Sequence, residues 1–135
     1  IYLGALVAGL DAGMGYNTWP LIDSAFIPAA ERLWFENPWW RNLFENAMTV
    51  QFNHRLLAYV VTLAAVAYAL AARTQTAALL LAAVLLQVVF GIWTLLLQVP
   101  LWLGLVHQGG ALIVLAAALW NLHALLRQSP GQDPR

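Results

Sequence analysis

Two histidines on different apolar segments are the residues of this sequence whose type and spacing best suit metal chemistry. His54 lies seven residues after Ala47, where one apolar segment begins, and His107 lies seven residues after Pro100, where another begins. At 1.5 Å per helical residue, each imidazole is expected about 10 Å along its helix. We expect both helices to enter from the same surface, so the two rings should lie at equal depth and bind one metal between them.

The remaining composition narrows the kind of metal site. The sequence has no cysteine and no carboxylate close to either histidine, so a tetrahedral zinc site would lack its other ligands. A haem needs only two ligands from the protein, because the porphyrin supplies four nitrogens. His54 and His107 are therefore predicted to be the axial ligands of a haem iron. Glycines near His107 would let a flat macrocycle approach the backbone, namely Gly104, Gly109 and Gly110.

Other residues near this level have more than one explanation. Arg55 is predicted to pair with a haem propionate through charge-assisted hydrogen bonds, although its side chain could instead reach outward to water. Trp93 is suited to pack against a macrocycle. His123 lies 16 residues beyond His107, about 24 Å along the helix, and is interpreted as an interfacial histidine. Helix packing is the preferred explanation for a stripe of small and polar residues comprising Gln87, Gly91, Thr94 and Gln98.

The composition predicts an integral membrane protein. Hydrophobic residues make up 62% of the 135 residues and charged residues 9%, whereas about 25% of an ordinary soluble domain is charged. The net charge is zero, so nothing indicates a nucleic-acid partner. Three apolar segments have the length of about 20 residues that crosses a bilayer, and they are predicted as helices over about Ala47–Ala72, Thr76–Val99 and Leu101–Arg127.

A shorter apolar segment, Ile1–Leu10, precedes these three and ends near Asp11, where glycines follow. The roughly 13 residues up to Gly13 would form about 20 Å of helix, which is less than the hydrocarbon thickness of a bilayer, about 30 Å. We interpret it as a helix whose beginning lies outside this sequence, so the chain is expected to be a fragment. The predicted fold class is all-α: a four-helix transmembrane bundle in residues 1–127 and a frayed or disordered polar tail in residues 128–135.

A long polar and aromatic loop, residues 14–46, contains prolines that preclude a continuous helix. Within it, Asn37-Pro38 has the pattern of an N-cap followed by the first helical residue, and the tryptophans that follow favour the membrane interface. A short interfacial helix is therefore expected. Three basic residues lie on the side of Arg73 and the C-terminus, against two on the loop side. The positive-inside rule then places the loop outside and the C-terminus in the cytoplasm.

Four motifs, which together span Gly4 to about Leu126, are similar in type and order to a known family. They are GALVAGLDAGMGYNTWP, NPWWRNLFENAMTVQFNHR, GIWTLLLQVP and LVHQGGAL. They resemble the C-terminal half of haem A synthase of the proteobacterial and mitochondrial type.

The resemblance implies an eight-helix membrane enzyme with two pseudo-symmetric four-helix halves, each containing a histidine pair. The family oxidises a methyl group of haem O to the formyl group of haem A for cytochrome oxidase assembly. By resemblance, this chain supplies helices five to eight, and His54 and His107 match the pair that holds a haem b. The implied partners are haem O bound by the missing half, an unidentified electron donor, haem O synthase and the lipid of the bacterial inner membrane.

The residue type at position 51 indicates whether this half is the catalytic or the electron-relaying half. In the family's first half, a glutamate implicated in catalysis precedes a histidine by three residues, and here Gln51 holds that position before His54. Glutamine cannot carry a charge or act as a general base. We therefore predict an electron-relaying half without a catalytic residue, and the chain alone is not expected to make haem A.

Two other functions remain open from the sequence. The first is a non-enzymatic membrane b-type cytochrome, or the haem anchor of a respiratory complex, because bis-histidine ligation alone would serve either. The second is a packing bundle whose histidines bind nothing. The order of the motifs favours haem A synthase over the first, and a Soret band in the purified protein would exclude the second.

Overall fold

The computed structural model describes residues 1–128, and these form helices joined by short turns and one long loop. The helices are α1 (Tyr2–Gly9), α2 (Ala12–Gly15), α3 (Ala30–Leu33), a 3₁₀ turn (Trp39–Arg41), α4 (Asn42–Glu45), α5 (Ala47–Ala72), α6 (Gln75–Leu96) and α7 (Leu101–Gln128). No β-strand occurs in this part of the chain, where a single bridge pairs Ile22 with Ala25. The predicted all-helical fold is confirmed. Beyond Gln128, the predicted frayed tail lies outside the described residues.

Three helices, α5, α6 and α7, are each long and apolar enough to cross a membrane. The large apolar side chains along them are mostly exposed, as expected for surfaces that face lipid rather than water. The fourth predicted span is not shown, because α1 has only eight residues. The integral membrane class is thus supported by three helices, while the sides on which the loop and the C-terminus lie stay predictions.

The ends of α5 and α6 follow from local backbone chemistry. Asn46 caps α5 by accepting hydrogen bonds from two backbone N–H groups, and α5 ends at the predicted residue because Arg73 adopts a left-handed conformation (φ 51°). Thr74 then caps α6. The prediction that this third helix extends to Val99 is wrong. Gln98 and Val99 have positive φ values of 59° and 57°, so the chain turns before Pro100.

Helix α6 packs against both α5 and α7, while α1 packs against α5. Among these described helices, α5 and α7 do not pack extensively on each other. The arrangement therefore leaves a gap between α5 and α7 that side chains from the two helices can enter. A closed four-helix bundle is not confirmed.

The long loop has a small apolar core of its own, which packs on the start of α5. Ile22, Leu33 and Met48 are buried together, with Tyr16 and Phe52 packed beside them. The loop is therefore held on α5 by buried apolar surface, and this fixes the loop close to the level of His54.

The predicted N-cap at Asn37-Pro38 is not observed. The helical turn begins at Trp39 with Pro38 in the cap position, and no side chain caps it. The buried side chain of Asn42 instead bonds the backbone of Glu36 and Trp39. Residues 39–45 are therefore two short turns, and their placement at the membrane interface stays a prediction.

A polar contact joins the three long helices near the end opposite the loop. Asn121 of α7 is buried, donates to the backbone oxygen of Thr76 (3.2 Å) and accepts from the Tyr68 hydroxyl of α5 (3.2 Å). Interhelical hydrogen bonds of this kind hold membrane helices in register. The site end and the opposite end of the helices are thus fixed by different side chains.

Candidate functional site

The structure brings the two predicted ligands, His54 of α5 and His107 of α7, together across the gap. Their ring centroids lie 6.5 Å apart and their ring planes are perpendicular, at 89°. With metal–nitrogen bonds of about 2 Å and about 1 Å from nitrogen to ring centre, two trans imidazoles on one metal place their centroids about 6 Å apart. Rotation about a metal–nitrogen bond leaves the coordinating lone pair in place, so perpendicular planes are compatible with shared ligation. The separation fits one iron between the rings.

Each histidine lies against a glycine of another helix. A Cβ built on Gly4 of α1 would lie 3.5 Å from Cε1 of His54, and one on Gly91 of α6 would lie 2.8 Å from Cε1 of His107. The distance at Gly4 is an ordinary van der Waals contact. The distance at Gly91 is shorter than Cβ atoms show in real structures. The ring of His107 is therefore seated on backbone in a way that only glycine permits.

Gln87 of α6 lies beside His107 and engages it twice. Its amide nitrogen lies 3.1 Å from Nδ1 of His107 and also donates to the backbone oxygen of His107. The carboxamide occupies the space left by Gly110, where a Cβ would overlap it. In the described part of the chain, no hydrogen bond reaches Nε2 of His107 or either ring nitrogen of His54.

The stripe on α6 that we assigned to packing therefore has two parts. Gln87 and Gly91 contact His107, whereas the hydroxyl of Thr94 bonds the carbonyls of Phe90 and Leu103 and does serve helix packing. Gln98 is exposed beyond the end of α6. The four-residue spacing of Gln87 and Gly91 was the available signal for a shared face, but the sequence could not show that this face meets His107.

Arg55 follows His54 directly, and its guanidinium holds the loop. Its terminal nitrogens donate to the backbone oxygens of Tyr16 (3.0 Å), Leu21 (3.2 Å) and Pro20 (3.4 Å). Its side chain is buried, and its Nε is buried without a hydrogen-bond partner. Two of the three nitrogens are thus already bonded, and Nε–H is the donor that a ligand oxygen could satisfy.

Gln51 lies one helical turn before Arg55 on the same face of α5. It is 3% exposed, and its Oε1 is buried without a partner. An acceptor (Gln51 Oε1) and a donor (Arg55 Nε) are therefore both buried without a partner on one face of the helix that carries His54. Burying unpaired polar atoms is costly, so this pattern fits a site that a polar group of a ligand completes.

The other residues singled out in the sequence lie elsewhere or have protein partners. Trp93 stacks on Phe90 with centroids 6.3 Å apart and meets Trp102 edge-on at 5.9 Å, so it belongs to an aromatic cluster. His123 is exposed. Within residues 1–128, no group of three or more His, Asp or Glu side chains could hold a metal ion. A haem does not need three ligating side chains, because two from the protein are enough.

These features define a membrane protein with a histidine pair between two apolar helices, and comparison with known proteins gives the family. The family model described as cytochrome oxidase assembly protein (COX15-CtaA) matches residues 1–119. The chain belongs to this family. No solved structure matches it.

Several curated relatives are named Heme A synthase. The chain is 54% identical to the one from Bradyrhizobium diazoefficiens, with all of this chain and 40% of that protein covered. It is 52% identical to one from Rhodopseudomonas palustris strain BisA53, with 93% of this chain and 36% of the relative covered. One from Bradyrhizobium sp. strain ORS 278 is 55% identical, with 93% and 37% covered.

The chain thus spans about two fifths of the length of the relatives it matches. The predicted family is confirmed. The prediction that the chain is a C-terminal half of such a protein is not confirmed, because the matched region covers only 36–40% of the relatives' length.

Proposed function

We propose that this chain holds a haem b between His54 and His107 and takes part in haem A synthesis as the electron-relaying part of a haem A synthase. The 6.5 Å separation of the two ring centroids carries the proposal. It matches what two imidazoles on one iron require, and the two histidines come from helices that do not otherwise pack extensively on each other. The family and the relatives named Heme A synthase support the reaction.

His54 and His107 would hold the haem iron from α5 and α7. A haem held by both histidines would supply one-electron redox chemistry rather than a site that binds oxygen or substrate. Gln51 and Asn53, two polar neighbours of His54 in the sequence, carry neutral amides that cannot act as a general base. These residues therefore suit ligand binding and electron transfer rather than proton abstraction.

The apolar helices supply the remaining conditions for a haem. Leucine and valine side chains are exposed on α5 and α7 and would keep water from a haem held between these helices, and such an apolar shell influences the reduction potential of a metal centre. The buried Nε–H of Arg55 is the donor for a propionate oxygen, so Arg55 would join the loop and the haem.

The rest of the longer protein would hold the substrate haem O, whose methyl group is oxidised to the formyl group of haem A. An electron donor and haem O synthase are the protein partners we propose. The site would lie in the bacterial inner membrane, with the loop of residues 14–46 outside and the C-terminus in the cytoplasm.

The proposal is tested by absorption spectroscopy of the full-length protein purified in detergent, with pyridine haemochrome analysis of the haem type. The parent protein should show a low-spin b-type spectrum, and His54→Ala or His107→Ala should abolish it or convert it to high spin. His123→Ala is the matched control, because that histidine is exposed and should leave the spectrum unchanged. If the parent spectrum survives both alanine substitutions, the two histidines are not the ligands.

A membrane b-type cytochrome without enzymatic activity would use the same histidine geometry. The relatives' names favour the enzyme, and conversion of haem O to haem A by the full-length protein, followed by chromatography of extracted haem, separates the two functions. His54→Ala and His107→Ala should abolish conversion as well as the low-spin spectrum. Haem bound through the pair without any conversion would favour the cytochrome.

A further inference from the structure

A groove runs between α6 and α7 near the ends of these helices that lie away from the histidines. Its volume is about 240 Å³, which is below the roughly 300–1,000 Å³ of pockets that hold drug-sized ligands. A narrow chain therefore fits the groove better than a bulky ring system. The groove is lined by Thr76, Leu79 and Leu80 of α6 and by Ala117, Trp120 and Asn121 of α7.

The polar side chains in the groove wall already have protein partners. Asn121 donates to the carbonyls of Thr76 and Ala117, and its side-chain oxygen accepts from the Tyr68 hydroxyl. The hydroxyl of Thr76 lies 3.2 Å from that of Thr74. Because these groups are bonded within the protein, the groove offers a ligand mainly apolar surface and suits a hydrocarbon chain.

Arg127 lies on the face of α7 that borders the groove. It follows Trp120 by seven residues, a spacing that returns to the same face of a helix after two turns. Its side chain is exposed and begins about 10 Å further along α7 than Trp120. A lipid whose acyl chain occupies the groove would therefore meet Arg127 with its headgroup.

Arg73 lies at nearly the same level, on the turn between α5 and α6. It follows Tyr68 by five residues, or about 7.5 Å of helix. Arg127 follows Asn121 by six residues, or about 9 Å. The Tyr68 hydroxyl bonds Asn121, and α5 and α7 run in the same direction because short turns join each of them to α6. The two arginines therefore reach a similar depth.

The charge at this end of the helices favours an anionic ligand. Residues 47–128 contain no Asp or Glu, and their charged side chains are Arg55, which binds the loop, and the arginines at positions 73 and 127. Asp133 is the one acidic residue that follows them in the sequence. Guanidinium groups bind phosphate through charge-assisted hydrogen bonds, and basic sites between membrane helices bind anionic lipid headgroups.

We propose that the groove and the two arginines form a binding site for one anionic phospholipid: an acyl chain lies between α6 and α7 against Trp120, and Arg73 and Arg127 bind the phosphate. Asn121, in the groove wall, lies about 21 Å beyond His107 along α7. The lipid site is therefore separate from the proposed haem site, and its failure would leave the proposed function untouched.

The test is native mass spectrometry of the full-length protein in detergent, with added phosphatidylglycerol or phosphatidylcholine that carry identical acyl chains. The parent should retain severalfold more phosphatidylglycerol. A double Arg73→Gln, Arg127→Gln variant should retain the two lipids equally, because it lacks the groups that bind the anionic headgroup. A double Arg32→Gln, Arg41→Gln variant is the matched control: it loses the same charge on the loop, where both arginines are paired with acids, and should keep the preference of the parent.

A second pair of variants tests the groove itself. Ala117→Leu places a larger side chain in the groove and should lower retention of phosphatidylglycerol severalfold. Ala116→Leu is the matched control, because Ala116 is exposed and is not part of the groove wall. Glycerol phosphate, which has no acyl chain, should not displace the bound lipid.

Three results would overturn the proposal. The first is equal retention of both lipids by the parent, and the second is a preference for phosphatidylglycerol that survives the double substitution of Arg73 and Arg127. The third is displacement of the lipid by glycerol phosphate, which would indicate a site for a free phosphate instead. The arginine variants alter exposed side chains outside the packed helix interfaces, so they decide the question even if Ala117→Leu does not fold.

Discussion

Gly91 lies directly beneath the imidazole of His107, so close that a Cβ at residue 91 would stand 2.8 Å from Cε1 and 3.3 Å from Nε2 of the ring. The nearer distance is shorter than real Cβ contacts, so any side chain at position 91 must displace the imidazole. The position of His107 relative to His54 therefore depends on the absence of a side chain on a neighbouring helix.

If His107 binds a haem iron as proposed, we expect Gly91→Ala to lower haem content severalfold and to convert part of the remaining haem to high spin, because the imidazole would be displaced. Gly109→Ala is the matched control: its Cβ would have no atom within 4 Å. Both substitutions exchange a helical glycine for alanine and so share a gain of about 1 kcal/mol in helix propensity. The measurement is the haem-to-protein ratio and the absorption spectrum of the purified full-length protein. Equal haem content in the two variants would contradict the prediction.

Arg55 is expected to stabilise the loop, since it donates to the carbonyls of Tyr16, Leu21 and Pro20. Hydrogen bonds from a charged group contribute about 1.5–3 kcal/mol, so Arg55→Met should lower the free energy of unfolding in detergent by about 2 kcal/mol. It should also expose residues 16–29 to limited proteolysis, because the carbonyls that hold this segment lose their donor.

Arg32→Met is the control for that experiment. Arg32 is paired with Asp23 at the surface of the same loop, with both side chains about half exposed, and exposed ion pairs contribute about 0–1 kcal/mol. Arg32→Met should therefore have a small effect on both measurements. A loss of haem in Arg55→Met with unchanged proteolysis of the loop would instead make Arg55 a propionate ligand that does not hold the loop.

The bounds of α5 could be predicted from the sequence because both ends are decided by local chemistry. Asn46 accepts the first backbone hydrogen bonds, and the apolar run stops at the polar residues that follow Ala72. The level of the histidines could also be predicted, since rise per residue is a property of any helix. Depth alone therefore anticipated that His54 and His107 would come together.

The partners of the histidines could not be predicted in the same way. Helices in a membrane are apolar on every face, so the pattern gives little information on which face meets a neighbour. The contact of Gln87 with His107 depends on the rotation of α6 about its axis, and this rotation is decided by packing with two other helices. The hydrogen bonds of Arg55 to a loop more than 30 residues away are likewise a tertiary property.

Asn121 is expected to hold the three long helices together without affecting the proposed haem site. It donates to the carbonyls of Thr76 and Ala117 and accepts from Tyr68, and it lies about 21 Å beyond His107 along α7 at 1.5 Å per residue. Asn121→Leu removes all three bonds and leaves the Tyr68 hydroxyl without its partner. Hydrogen bonds between membrane helices contribute about 0.6 kcal/mol on average, so we expect a loss of about 1–2 kcal/mol.

Tyr68→Phe is the matched variant, because it removes only one of these bonds and keeps the ring. We expect it to cost about 0.5 kcal/mol, and the double variant should cost less than the sum of the two, since the bond between Tyr68 and Asn121 is shared. Unfolding by denaturing detergent in mixed micelles measures these free energies. The low-spin spectrum should be identical in all three variants at low detergent. If Asn121→Leu is as stable as the parent, Asn121 does not hold the helices together. If its haem spectrum is altered, the contact is not independent of the histidine pair.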